Sequence, residues 1–229
     1  MDKPQLDQEI FDLYDHYAHN RIDRRNFMEQ LSVYAVGGLT VNALMEYLMP
    51  KYFSTLQVQP QDPRLKSEYI EYASPKGGGT IKGLLSRPAG NTKKLPGIVV
   101  VHENRGLNPY IEDVTRRAGL EGFIALGPDA LTPLGGYPGT DDEGRTMQSK
   151  RTRDEMLEDF IAAFEYLKVH PECDGNVGVV GFCFGGWISN MMAVRVPDLK
   201  AAVPFYGGQP TAAGFCPINH PPLISFWCL

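Results

Sequence analysis

Residues Gly181-Phe182-Cys183-Phe184-Gly185-Gly186 place a thiol in a turn crowded with glycine. A short apolar run, Val177-Gly178-Val179-Val180, precedes it, and a helix-like segment at residues 187–194 follows. Strand, tight glycine turn and helix together form the setting of a G-x-S-x-G nucleophile elbow, here with cysteine in the place of serine. Glycines on both sides let the chain reverse without Cβ clashes and leave the central side chain exposed at the end of a sheet. A thiol at a helix N-terminus also feels the positive end of the dipole, which favours thiolate, the reactive form. Thiolate chemistry is nucleophilic attack or oxidation of the sulfur. The plainer alternative is a buried free cysteine on a βα turn.

Such a turn needs a sheet to carry it, and the chain supplies one. Residues 68–73 and 80–87 read as a strand pair joined by Pro75-Lys76-Gly77-Gly78-Gly79. The continuous apolar run Gly97-Ile98-Val99-Val100-Val101-His102 suits a strand buried on both faces. Helix and strand then alternate: a helix at 109–121, a strand at 123–126 and a long amphipathic helix at 153–169 come first. Met156, Leu157, Phe160, Ile161, Phe164 and Leu167 form the apolar face of that helix. A strand at 177–181, a helix at 185–194 and a strand at 201–206 complete the pattern. This alternation predicts an α/β fold, a mostly parallel sheet with helices on both faces. Residues 129–150, rich in Gly and Pro, read as a long loop on the same sheet edge as the elbow. Such a loop is either a substrate-covering lid or an idle insertion.

Composition bounds the alternatives. The 229 residues suffice for one such domain plus an N-terminal appendage, with 43% hydrophobic and 21% charged residues. A net charge of −5 argues against nucleic acid as the main partner. The four cysteines, Cys173, Cys183, Cys216 and Cys228, form neither a C-x-x-C pair nor a disulfide framework. A reducing, cytoplasmic location with no metal and no cofactor is the default expectation.

Residues 1–56 read as a helical arm and 57–67, with Pro60 and Pro63, as a linker to the domain at 68–229. Asp23-Arg24-Arg25-Asn26-Phe27-Met28 looks like a twin-arginine export motif before a mostly apolar run at 31–44. That run is too short to span a bilayer, is closely flanked by Glu29 and Glu46, and has no A-x-A cleavage site after it. The competing reading is a pair of amphipathic helices, with Ile10, Leu13, Tyr14 and Tyr17 on one and Leu31, Tyr34, Ala35 and Leu39 on the other.

Taken together, His102-Glu103-Asn104-Arg105-Gly106-Leu107-Asn108, Gly127-Pro128-Asp129, the elbow and Pro204-Phe205-Tyr206-Gly207-Gly208 resemble the dienelactone hydrolase family, a branch of the α/β-hydrolase fold. The resemblance covers residues 68–208. It implies that Cys183 attacks an ester or lactone carbonyl and forms a thioester acyl-enzyme. It implies an oxyanion hole made by the backbone N–H groups of Phe184 and Asn104. It also places Glu103 beside the thiol, where a carboxylate would affect the thiol's ionisation. His102 reads as a packed strand-end residue. Arg145, Arg151 and Arg153 are candidates for holding an anionic substrate, against the plainer reading of solvated charges.

A cysteine nucleophile in this fold calls for a downstream acid and then a histidine. No Asp or Glu follows Asp198, no charged residue follows Lys200, and the only later histidine is His220. By the resemblance, His220 precedes the next strand, near Leu223, and is not on the catalytic loop. His16, His19 and His170 read as surface residues. The expectation is a chain truncated before its triad partners, with impaired turnover, an exposed sheet edge and an inclination to associate. An inactive remnant or binding protein, or a redox- or acylation-prone thiol protein, is the alternative.

Overall fold

A computed structural model describes residues 7–18, 21–35, 40–48 and 56–209. The chain forms two compact units, residues 1–54 and 55–229. The first carries α1 (Gln8–Ala18), α2 (Arg24–Ser32) and α3 (Val41–Leu48). Asp23 caps α2 by accepting the Asn26 N–H at 2.8 Å, satisfying one of the amides that a helix start leaves without a partner. Helical spacing brings Ile10, Leu13, Tyr17, Phe27, Leu31, Leu44 and Met45 into one buried cluster. The Tyr17 and Phe27 rings stack within it at 4.4 Å. The Phe27 of the Arg-Arg motif is therefore the centre of a small helical core. Tyr14, Tyr34 and Ala35 pack around it partly buried, and Leu39 lies outside the described residues. No helix among the described residues is long and apolar enough to cross a membrane.

The second unit is a six-stranded sheet in the order β1-β2-β4-β3-β5-β6. The hairpin of β1 (Leu65–Ser74) and β2 (Gly79–Pro88) is antiparallel and joins β4 (Ile124–Pro128) antiparallel. The remaining strands, β3 (Leu95–Val101), β5 (Cys173–Phe182) and β6 (Ala201–Phe205), run parallel with β4. Side chains alternate across the central strand, so Val99 and Val101 face one core and Val100 the other. Against the first core pack α6 (Arg153–Lys168) and α7 (Phe184–Arg195), through Leu157, Phe160, Phe164, Ile188 and Met192. Against the second packs α4 (Pro109–Leu120), through Ile111 and Val114. The α/β architecture with helices on both faces is thus as the alternation of elements predicts.

Two expectations change. Residues 129–150 are not a structureless loop: they hold a 3₁₀ turn (Thr132–Leu134) and a helix, α5 (Asp141–Gln148). The stretch expected as a linker is fastened to the sheet unit, because the Gln57 and Val58 N–H groups both donate to the Asp113 carboxylate on α4. Arg116 in turn donates to the Val58 carbonyl at 3.0 Å. The strand expected near Leu223 lies outside the described residues.

One buried ion pair ties several of these elements together. The Asp159 carboxylate on α6, fully buried, accepts from Arg151 at 2.6 Å, from the Ser74 hydroxyl at 2.6 Å and from the Gly78 N–H at 2.8 Å. Arg151 also donates to the Ala130 carbonyl. The hairpin turn, α6 and the segment after β4 therefore meet at one carboxylate. Replacing one partner leaves the other charge buried and uncompensated, so Arg151→Met is expected to lose about 3 kcal/mol of unfolding free energy. Urea titration reads this directly, and a loss below about 1 kcal/mol would show the pair behaving as an exposed one.

Candidate active site

At the junction of β5 and α7 two backbones come unusually close. A Cβ placed on Gly181 would lie 2.1 Å from the Gly185 carbonyl oxygen, and one on Gly185 would lie 2.5 Å from the Val101 carbonyl oxygen. A Cβ on Gly186 would lie 2.5 Å from the Phe205 carbonyl oxygen. Only glycine fits at these three positions without shifting main chain. The turn between them falls on Cys183, at φ 54° and ψ −110°, a conformation that L residues rarely adopt. Holding it costs on the order of 1–3 kcal/mol, which the surrounding contacts must offset. The Cys183 N–H donates to the Phe205 carbonyl at 3.0 Å, and its carbonyl accepts from the Trp187 N–H at 3.2 Å. Its side chain is a thiol in no disulfide, partly exposed, at the N-cap of α7. Phe184 follows as the first helical residue, so its N–H has no acceptor within the helix.

The loop after β3 approaches the same point. Glu103 accepts a hydrogen bond from the Tyr206 hydroxyl at 3.1 Å and lies 3.8 Å from Arg105. Tyr206, directly after β6, is itself left-handed at φ 40°. Burial first, then the Glu103 charge and hydrogen bond, then Cys183, push its phenol well above the usual tyrosine range. Tyr206 is thus kept protonated, as the donor to the Glu103 carboxylate. Asn104 follows Glu103, and its side-chain oxygen accepts from Arg105 at 3.4 Å.

The residues behind this loop are polar and buried. The Asp129 carboxylate accepts the N–H groups of Leu107 at 3.3 Å, Leu131 at 3.0 Å and Tyr137 at 2.8 Å. Arg105 pairs with Asp141 of α5 at 2.9 Å, and Gln148 of α5 accepts the Gly106 N–H at 3.1 Å. His102 is fully buried: its Nε2 accepts from the Ala130 N–H at 3.2 Å, which leaves Nδ1 to carry the proton, donated to the Glu103 carbonyl at 2.6 Å. Both ring nitrogens are committed, so His102 packs at the strand end as its position suggests.

The three arginines considered from the sequence are placed differently from one another. Arg151 is the counter-ion of buried Asp159 and Arg145 pairs with Asp142 at 3.0 Å within α5. Arg153 lies over the Trp187 ring, 5.3 Å from its centroid. The arginine beside Glu103 is Arg105, which the sequence marks only as a member of the motif at residues 102–108. Tyr206 stands out in the sequence only within the motif at residues 204–208, and Gln148 not at all, since a left-handed tyrosine and a buried glutamine on a short polar helix carry no local signature. His220 lies outside the described residues, among which no group of three or more His, Cys, Asp or Glu side chains could hold a metal ion.

Burial lowers the proton affinity of His102 from its ordinary value of 6.5, with Asp129 opposing. The unfolded chain then binds the proton more readily. His102 therefore stabilises the fold fully above about pH 6.5 and progressively less as the pH falls toward the lowered native value. His170 is lowered in the same direction, first by burial. The melting temperature is expected to drop between about pH 7.5 and about pH 5.5, with His102→Gln removing part of that drop. An unchanged drop in the variant would place the acid sensitivity elsewhere.

Comparison with known proteins adds what geometry alone does not. A dienelactone hydrolase family profile matches residues 81–226, and a YqhI-like profile matches residues 1–36. YghX of Escherichia coli (strain K12), provisionally named a hydrolase fragment, is 53% identical over 112 residues, which are 49% of this chain and 96% of YghX. The carboxymethylenebutenolidase of Pseudomonas sp. (strain P51) is 33% identical over 141 residues, 58% of this chain and 57% of that enzyme. Among solved structures, the dienelactone hydrolase-like promiscuous phosphotriesterase P91 from metagenomic libraries superposes with a TM-score of 0.54 at 26% identity, covering 66% of this chain and 64% of P91. YghX apart, the chain thus spans little more than half the length of curated relatives such as that enzyme. With the profile matching well over half of its residues, the chain belongs to the dienelactone hydrolase family.

Proposed function

We propose that Cys183 takes the acyl group of a small carboxylic ester or lactone, the first half of hydrolysis. The observation that carries this reading is the strained left-handed backbone at Cys183, maintained by three glycine contacts that nothing but a sharp strand-to-helix turn requires. Strain of this kind concentrates where a side chain must be presented to a reactant. The thiolate attacks the carbonyl carbon, and a tetrahedral oxyanion forms. The oxyanion is held by the N–H groups of Phe184 and Asn104, collapse expels the alkoxide, and a thioester remains on sulfur. Glu103 and Tyr206 are hydrogen-bonded to each other at 3.1 Å, and in this reading the pair holds or passes the proton of the thiol.

Release of the acyl group is the slow step in this reading. His102 has both ring nitrogens committed, and His170 sits just before β5, at the end of that strand away from the elbow, with Nδ1 accepting the Glu172 N–H. Neither can activate a water against the thioester, so among the described residues of the sheet unit no histidine serves that step. A reducing cytoplasmic location fits the need for a free thiol. The burial of Phe27 inside a helical core supports that location over use of Arg24-Arg25 as an export signal.

The test is the reaction of p-nitrophenyl acetate with the wild type and Cys183→Ala. We expect a burst of p-nitrophenolate equal to the protein, absent in Cys183→Ala, followed by a turnover phase slower by at least about a hundredfold. The same steady release from both proteins, or no burst from the wild type, would sink the proposal.

A further inference from the structure

The carbonyl of Glu103 is held from two sides by side chains that no step of the proposed reaction uses. His102 donates to it through Nδ1 at 2.6 Å, and the Gln148 carboxamide donates to it through Nε2 at 3.3 Å. Each donor's orientation is itself determined by a second contact. The Ala130 N–H must meet an acceptor at Nε2 of His102, which leaves the proton on Nδ1. The Gly106 N–H must meet the Gln148 oxygen at 3.1 Å, which turns the amide nitrogen toward Glu103. Gln148 is almost fully buried, so the whole cost of desolvating its amide falls on these two bonds.

A peptide unit is planar, and its carbonyl and N–H point in opposite directions. The N–H on the far side of the Glu103 carbonyl is that of Asn104. Fixing the carbonyl against His102 and Gln148 therefore fixes the direction of the Asn104 N–H. We propose that Gln148 and His102 are positioning residues that aim the Asn104 N–H at the oxyanion. The proposal rests on the acyl-transfer reading only for what that N–H then does. It also gives α5 a role other than that of a lid. Asp141 at its start grips Arg105, Gly144 passes so close that a Cβ there would lie 2.3 Å from the Arg105 carbonyl oxygen, and Gln148 at its end grips Glu103 and Gly106. The helix clamps the loop at three points along its length.

Two reactions at Cys183 separate aiming from general damage. Acylation by p-nitrophenyl acetate passes through an oxyanion, whereas alkylation by iodoacetamide displaces iodide and forms none. Gln148→Met keeps the length and loses both hydrogen bonds, and Gln148→Glu loses the donor to Glu103. In both variants acylation is expected to slow about tenfold to a hundredfold, with alkylation changed by less than about twofold. Equal loss of both rates, or loss of neither, overturns the proposal. The ¹H–¹⁵N spectrum of the protein alone keeps the two ideas apart. Aiming predicts that Gln148→Met shifts the Asn104 amide and speeds its hydrogen exchange while leaving the Phe184 amide in place. If the wild type is not acylated at all but the Asn104 amide responds in this way, the acyl-transfer reading falls and the positioning stands. If that amide is unmoved, the positioning falls.

Discussion

Everything at this site follows from how closely the start of α7 lies against the ends of β3 and β5. Gly181 and Gly185 meet backbone to backbone, and a Cβ on Gly185 would touch the carbonyls of both Val101 and His102. That approach forces the chain through a left-handed residue at Cys183, and it brings the first turn of α7 to the point where β3 ends. The thiol, the helix-start amides and the loop after β3 are therefore neighbours by construction. The constraint is steric and local, but it depends on the parallel order β3-β5-β6, which sets the three strand ends side by side. The bond from the Cys183 N–H to the Phe205 carbonyl extends the same junction to β6 and hence to Tyr206.

Behind the junction, buried polar groups do what apolar packing cannot, because they orient backbone rather than merely cover it. Asp129 gathers three N–H groups from residues on either side of it, and His102 and Gln148 share one carbonyl. Each bond is a modest contribution to stability, while leaving any of these buried groups unpaired costs more. This asymmetry makes the loop conformation specific. The Arg151–Asp159 pair acts at longer range, fastening the hairpin turn and the Ala130 carbonyl next to the His102 contact.

Much of this was legible in residues 68–208. The elbow could be read because its glycines mark a backbone requirement, and β3 because Val99-Val100-Val101 admits no exposed face. The amphipathic face of α6 was read correctly but for Ile161, which is only partly buried, while Ala163 lies inside. The helix α5 was not read, since its polar sequence has no apolar stripe and its stability comes from tertiary contacts. One signal was available: Thr140 three residues before Glu143, whose N–H it accepts at 3.4 Å and whose carboxylate its hydroxyl reaches at 3.0 Å. Arg151 looked like a solvated charge because its partner is eight residues away on a different element. Tyr206 could not be singled out, because nothing in Phe-Tyr-Gly-Gly marks the tyrosine as left-handed when two glycines follow it.

In the proposed reaction the folded backbone, and not the thiol alone, makes Cys183 an acyl acceptor. The most direct measurement is the rate at which p-nitrophenyl acetate acylates Cys183, located by peptide mass spectrometry, in the native chain and in the chain unfolded in urea at the same pH. Acylation in the native protein is expected to be faster by at least about a hundredfold and confined to Cys183. Equal rates in the two states, or native labelling spread over the other cysteines, would contradict it.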